Sequence, residues 1–270
     1  MKPLLRNRLA IAGGVILLGL GVVALLAPWL APYDPVAVNV PDALLPPSSM
    51  HWLGTDQLGR DVLSRLIYGT RISLLIGFIA VGVASLIGTA VGSLAGFYGG
   101  WVDAIVMRCV DTLLAFPAIF LLLAVIAFIE PSIYTIMAVI GLTGWMGVAR
   151  LVRAEILSLK EREFVLAARV LGASSWRLVT RHLIPNALGP VLVAATLGVG
   201  GAILTESVLS YLGLGVQPPT PSWGNILNEG RVALGVAWWL TVSPGLAILV
   251  TVLSFNLLGE GLRDAVARRE

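Results

Sequence analysis

Long apolar stretches alternate along the chain with shorter polar segments, and this alternation predicts the architecture. A helix needs about 20 apolar residues to cross a bilayer. By that measure the sequence predicts six spans, at about Leu9–Leu30, Ser73–Phe97, Val102–Ile129, Ile133–Val148, Ala187–Val216 and Val232–Gly259. The second contains no charge, and the third carries Asp103, Arg108 and Asp111 in its first turns. The fourth is short and bounded by Glu130 and Arg150, and the first turns of the sixth are expected outside the lipid. The expected fold is therefore all-α, a polytopic membrane protein with six transmembrane helices. The first apolar run is long for a signal peptide, and Pro28 and Pro32 interrupt a small-residue cleavage site, so an uncleaved anchor is expected.

The connecting segments differ in character. Ala31–Pro47 is Pro-rich and predicted extended. Asp61–Arg71 is expected as a short helix at the outer interface, with Arg60 and Arg65 facing water. The loop Val216–Arg231 holds Gln217-Pro218-Pro219-Thr220-Pro221-Ser222-Trp223-Gly224, a stiff turn at the mouth of the bundle. The chain divides on this reading into 1–72 (tail, first helix and outer segment) and 73–270 (a five-helix core with a cytoplasmic loop at about 150–186). Gly198, Gly200 and Gly201 permit tight helix contact in the fifth span, and Ser243-Pro244-Gly245 is expected to kink the sixth.

The most patterned polar segment is Phe164–Asn186. Phe164, Ala167, Ala168 and Leu171 share one helical face. Gly172 suits a left-handed C-terminal cap, Ser174 or Ser175 an N-cap, and Pro185 is expected to break the second helix before the next span. Trp176, Val179 and Leu183 are expected on one side of that second helix. Helix, turn, helix on one face of a membrane bundle reads as a docking elbow.

Composition agrees with a membrane protein: 57% of the 270 residues are hydrophobic and 12% charged, with a mean hydropathy of +0.92. A net charge of +3 gives no reason to expect nucleic acid as a partner. Cys109 is the only cysteine, which excludes an intrachain disulfide, and His51 and His182 are too far apart in sequence to suggest a metal cluster. Charge placement is more informative. Lys2, Arg6 and Arg8 precede the first span; Arg150, Arg153, Lys160, Arg162, Arg169, Arg177 and Arg181 lie between the fourth and fifth; Arg263, Arg268 and Arg269 follow the sixth. Six spans put all three groups on one side, which the positive-inside rule makes cytoplasmic, together with both termini. The other side keeps Arg60, Arg65, Arg71 and Arg231.

Charges within the membrane are costly and so informative. Glu206, Ser207 and Ser210 are candidate pathway residues: Glu206 either lines a translocation path, where it would meet a peptide amine, or is a satisfied structural carboxylate or one facing a water-filled vestibule. Arg108 with Asp111, and Glu260 with Arg263, are spaced to pair along a helix.

The elbow resembles the EAA loop of ATP-binding cassette (ABC) importer permeases, with Ala167, Ala168, Gly172 and Pro185 at the matching positions. Leu166 stands where the family often has Glu, which puts that acid contact in doubt and leaves Glu163 or Glu161 to serve nearby. His51-Trp52-Leu53-Gly54-Thr55-Asp56-Gln57-Leu58-Gly59-Arg60-Asp61-Val62-Leu63-Ser64-Arg65 is similar to the outer segment of the C-type permease of dipeptide, oligopeptide, glutathione and nickel importers. So is Leu212-Gly213-Leu214-Gly215 followed by Gln217-Pro218-Pro219. The resemblance implies a type I ABC importer permease fold in the cytoplasmic (inner) membrane. It implies a second homologous permease, two ATP-binding subunits and an extracytoplasmic solute-binding protein as partners. Glu163, Ala167, Ala168, Gly172, Ala173, Ser174 and Pro185 are then the ATPase-coupling residues.

No Walker A sequence surrounds either lysine, Lys2 or Lys160, so ATP and Mg are expected on partner chains, with no cofactor, metal or catalytic residue on this one. The same architecture serves nickel or glutathione uptake. An ion-driven secondary transporter is opposed by the few buried acids and the absence of a repeat pair. A membrane enzyme is opposed by the absence of paired catalytic acids, a nucleophile elbow or an HExxH sequence.

Overall fold

A computed structural model describes residues 7–129 and 132–267. Lys2, Arg6, Glu130, Arg268 and Arg269 lie outside the described residues. The described chain is helical, without strands. Helix α1 is Arg8–Leu25, followed by the short α2, Ala27–Leu30, and an irregular stretch with one 3-10 turn at Val40–Asp42. Then come α3 (Val62–Tyr98), α4 (Gly100–Leu114), α5 (Ala118–Ile126) and α6 (Ile133–Leu159). The elbow contains α7 (Glu163–Val170) and α8 (Ser175–Arg177), and a π-helical turn, Leu178–Leu183, leads into α9 (Ile184–Tyr211). Two helices complete the chain, α10 (Trp223–Val232) and α11 (Trp239–Ala267).

Five helical stretches are long and apolar enough to cross a membrane, and α4 with α5 make a sixth span if the bent pair is counted as one. The third expected span is thus broken. Pro117 has no N–H with which to continue α4, so α5 starts afresh there at 86°. The fourth span is not short: α6 runs on past Val148 to Leu159, carrying Arg150 and Arg153 beyond the apolar stretch. Val232 ends α10 and does not begin the sixth span, which starts at Trp239 and passes through the buried Pro244 without interruption.

The largest departure concerns α3. The expected interfacial helix Asp61–Arg71 and the second span are one helix, Val62–Tyr98, which also crosses the expected division at residue 72. Asp61 caps it by accepting from Ser64 N at 2.8 Å. A helix of 37 residues is roughly 55 Å long against a hydrocarbon core of about 30 Å. A helix of this length extends beyond the lipid, and its first turns carry Arg65 and Arg71.

Helices α3 and α6 form the most extensive pair. They run parallel, because Gly88 faces Trp145 and Val148, Gly92 faces Ala149 and Val152, and Gly96 faces Arg153 and Ile156. A Cβ on Gly88 would stand 2.5 Å from Val148 Cβ and 2.8 Å from the Trp145 carbonyl oxygen. Glycine at every fourth position thus lets the two backbones touch, the means by which helices associate where lipid is as apolar as leucine. The glycines expected to mediate packing contribute less. Gly198 and Gly200 make ordinary contacts with Val81 and Val252, and Gly201 faces open space. Helix α1 sits at the periphery on α11, where a Cβ on Gly13 would stand 2.6 Å from the Ser254 carbonyl oxygen.

Candidate functional site

Two assemblies at opposite ends of the bundle, and a groove between them, hold the groups with chemistry. At the end carrying Arg150–Arg181, the elbow packs on α6 and α9 through Val165, Leu178, Leu183 and Ala187, all buried with Val152 and Ile156. Helix α7 ends in a complete Schellman motif: Ala173 N donates to Ala168 O and Gly172 N to Arg169 O, both at 3.0 Å. Gly172 has φ +81°, the left-handed conformation that the motif requires and that a β-branched residue resists. Ser174 caps α8, accepting from Arg177 N. Ala168 and Ala173 lie against the core, while Glu163, Ala167 and Pro185 are exposed.

The buried side of α7 is Val165, and the face presented outward holds Phe164, Leu166, Val170 and Leu171, the last 87% exposed. Trp176 does not share a side with Leu183: it is 77% exposed, whereas Leu178 and Leu183 point inward. Pro185 does not break the helix. It falls in the first turn of α9, where a missing N–H costs least, and the wider π-helical turn ahead of it carries the chain straight into the span.

Nearby, Asp103 and Asp111 of α4 bind Arg153 and Arg150 of α6; Arg153 Nη2 is 2.5 Å from Asp103 Oδ2. Asp111 therefore pairs between helices, not with Arg108 of its own helix as the spacing suggested. No salt bridge joins Glu260 and Arg263 among the described residues; both are exposed at the end of α11.

At the other end, the segment 51–61 folds over the start of α3. Arg65 is 1% exposed and Asp56 is fully buried. Arg65 bonds both Asp56 and Glu229 of α10, the latter from Nη2 at 2.8 Å, and Arg60 joins the same two acids at 2.6 and 3.0 Å. His51 Nδ1 lies 2.9 Å from Asp61 Oδ1. This corrects the expectation that Arg60 and Arg65 face water: burial of two cations requires two partners, and Glu229 is 164 residues from Arg65 in sequence. Trp239 Nε1 of α11 donates to Thr55 O at 3.0 Å and fastens the same segment from a third side.

Glu206 is fully buried within its own chain. Its Oε1 accepts from Ser210 Oγ at 2.6 Å and from Ser222 Oγ at 3.0 Å. Ser207 Oγ donates to Ile203 O at 2.8 Å. Its other oxygen, Oε2, is buried with no hydrogen-bond partner among the described residues. A cavity of about 390 Å³ lies between α3, α5, α6 and α9, lined by Thr143, Gly144, Gly147, Gly201 and Thr205.

Residues 88–270 match the family described as binding-protein-dependent transport system inner membrane component. Residues 1–47 match the N-terminal transmembrane domain of oligopeptide transport permease C. The chain belongs to this permease family. It is 42% identical to the dipeptide transport system permease protein DppC of Alkalihalophilus pseudofirmus over 98% of this chain and 87% of that one. It is 44% identical to the glutathione transport system permease protein GsiD of Pectobacterium atrosepticum (98% and 88% covered) and 43% to the oligopeptide permease OppC of Bacillus subtilis (96% and 85%). The inward-facing MetNI methionine ABC transporter superposes with a TM-score of 0.60 at 19% identity, covering 75% of this chain and 96% of that one, a likeness of fold. The permease is thus a multi-pass inner-membrane transport subunit of the C type with the type I importer fold.

Proposed function

We propose that this permease is one half of the membrane pore of an ATP-driven importer that carries dipeptides or oligopeptides inward. The observation that supports this most is the elbow, a rigid Schellman-capped turn offering Phe164, Leu166, Val170, Leu171 and Trp176 at the basic end of the bundle. Relatives named for dipeptide and oligopeptide transport favour peptide, and the glutathione relatives leave a modified tripeptide as the second reading.

On this reading the basic end and both termini are cytoplasmic. The other end carries fewer Lys and Arg, namely Arg60, Arg65, Arg71 and Arg231, in keeping with the positive-inside rule. Glu163, Ala167, Ala168, Gly172, Ala173, Ser174 and Pro185 belong to the docking elbow, which seats in an ATP-binding subunit. ATP and Mg are held there, a second homologous permease completes the pore, and an extracytoplasmic binding protein delivers the solute. Nucleotide-driven closure of the two ATPases draws the elbows together, and the spans follow as rigid bodies.

Substitution at Gly172 tests the coupling. A Cβ there meets nothing within 4 Å, so only the backbone conformation is at stake. Gly172→Val forces a β-branched residue into the left-handed region, at a cost of about 1–2 kcal/mol or more. Gly172→Val is expected to leave membrane insertion intact but to uncouple ATP hydrolysis from uptake or release the ATPase subunits. Gly172→Asn, which tolerates this conformation, retains transport. Normal uptake and normal complex yield in Gly172→Val would remove the elbow from the coupling path.

A further inference from the structure

Helix α10 lies at the outer mouth of the bundle and is held at both ends. At its start, Ser222 is the N-cap: its Oγ accepts from Asn225 N at 3.2 Å and donates to Glu206 Oε1 of α9 at 3.0 Å. The Asn225 side chain answers by accepting from Ser222 N at 3.0 Å, closing a capping box. Trp223 N reaches Ser73 Oγ at 3.3 Å and Trp223 Nε1 reaches Leu66 O at 3.2 Å, both on α3. Ser210 Oγ, which also donates to Glu206, accepts from Val216 N at 3.1 Å and so fixes the loop between α9 and α10.

Near the end of α10, Glu229 binds Arg60 and Arg65, and its carbonyl accepts from Gln57 Nε2 at 3.1 Å. The backbone of α10 also lies close against its neighbours at two glycines. A Cβ on Gly224 would stand 2.7 Å from Ser207 Cα, and one on Gly230 2.8 Å from the Leu240 carbonyl carbon.

We infer that Glu206 and Glu229 are positioning residues that fasten α10 to α9 and to the start of α3, so that α10 and the segment 51–61 move with the bundle as one outer cap. In this arrangement α10 is not a gate. Opening of the outer mouth occurs by motion of the whole cap relative to the partner permease, and Glu206 acts through Ser222 and Ser210 without meeting the solute. The inference rests on the transport reading above, because it concerns what moves during transport.

The test uses the reconstituted importer complex in a Cys109→Ser background, with spin labels at Val232→Cys on α10 and Leu58→Cys on the cap segment, both exposed positions. Pulsed electron paramagnetic resonance gives the distance between them without nucleotide and with the ATPases trapped by vanadate. The two distributions superimpose if the cap is rigid; a separation that changes with nucleotide overturns the inference.

Uptake kinetics supply the second arm. Glu206→Gln keeps the Oε1 acceptor for both serines, so rate and apparent KM stay within about twofold of wild type, whereas loss of a charged contact to solute raises KM by roughly tenfold or more. A rise in KM of that kind overturns the positioning role. Glu229→Gln broadens the label distance and lowers the rate at unchanged KM; an unaltered distribution counts against Glu229. Should the wild-type complex show no ATP-dependent uptake, the transport reading fails, while the distance measurement in the same complex still decides whether the cap is rigid.

Discussion

Leucine at Gly88 or Gly92 is expected to abolish accumulation of folded permease. These glycines, with Gly96, are where α3 meets α6, and the atoms opposite include the carbonyls of Trp145, Ala149 and Arg153. Backbone carbonyls in a neighbouring helix cannot change rotamer to make room. Overpacking of a core typically costs about 1–3 kcal/mol when side chains can yield, and here the helices themselves must separate. The loss extends beyond one contact, because α5, α6 and α9 share a buried cluster with α3 that includes Ile76, Ile136, Ile140 and Leu209. Yield and thermal unfolding of the purified complex report the effect. Gly82→Ala, on the same helix but with nothing within 4 Å of its Cβ, is the control and is expected to be neutral or slightly stabilising. Wild-type yield and unfolding temperature in Gly92→Leu would show that α3 and α6 do not pack as described.

Arg65→Ala is expected to be comparably damaging for an electrostatic reason. Arg65 bridges Asp56, which is fully buried, and Glu229, and Arg60 alone cannot compensate both. Removing one member of a buried ionic cluster leaves uncompensated charge and typically costs about 3–5 kcal/mol. Arg65→Lys restores the charge but not the fork that spans two carboxylates, so it falls between Ala and wild type. Thermal unfolding of the three proteins gives the order directly. Equal unfolding temperatures for Arg65→Ala and wild type would mean that the cluster contributes no net stability.

These two predictions also mark where the sequence was legible. The apolar runs located the membrane helices because lipid imposes length and composition, and the elbow was readable because caps are local: Gly172, Ser174 and the bonds they organise lie within a few residues of one another. The glycine spacing at 88, 92 and 96 was present in the sequence as a small residue at every fourth position, yet nothing local indicates which helix it faces. The pairing that closes the cap was not legible. Arg60 and Arg65 read as water-facing because charged residues near a span usually are, and their partner Glu229 comes from another helix. The join between the interfacial segment and the second span was hidden because polar residues at a helix start are compatible with either one helix or two. Leu166, at the position where related loops often carry Glu, proved to be part of an apolar outward face, which shifts the expected docking chemistry at that point from charge to burial.

On the proposed function, this permease passes solute under the control of ATP hydrolysed on another chain. The most direct test is uptake of a labelled dipeptide into proteoliposomes holding the complete complex and its binding protein, with ATP supplied on the elbow side and all ion gradients collapsed by ionophores. Accumulation is expected to require ATP, to be unaffected by the ionophores and to be lost with Gly172→Val. Accumulation that persists without ATP and disappears when the ion gradient is removed would contradict the proposed function.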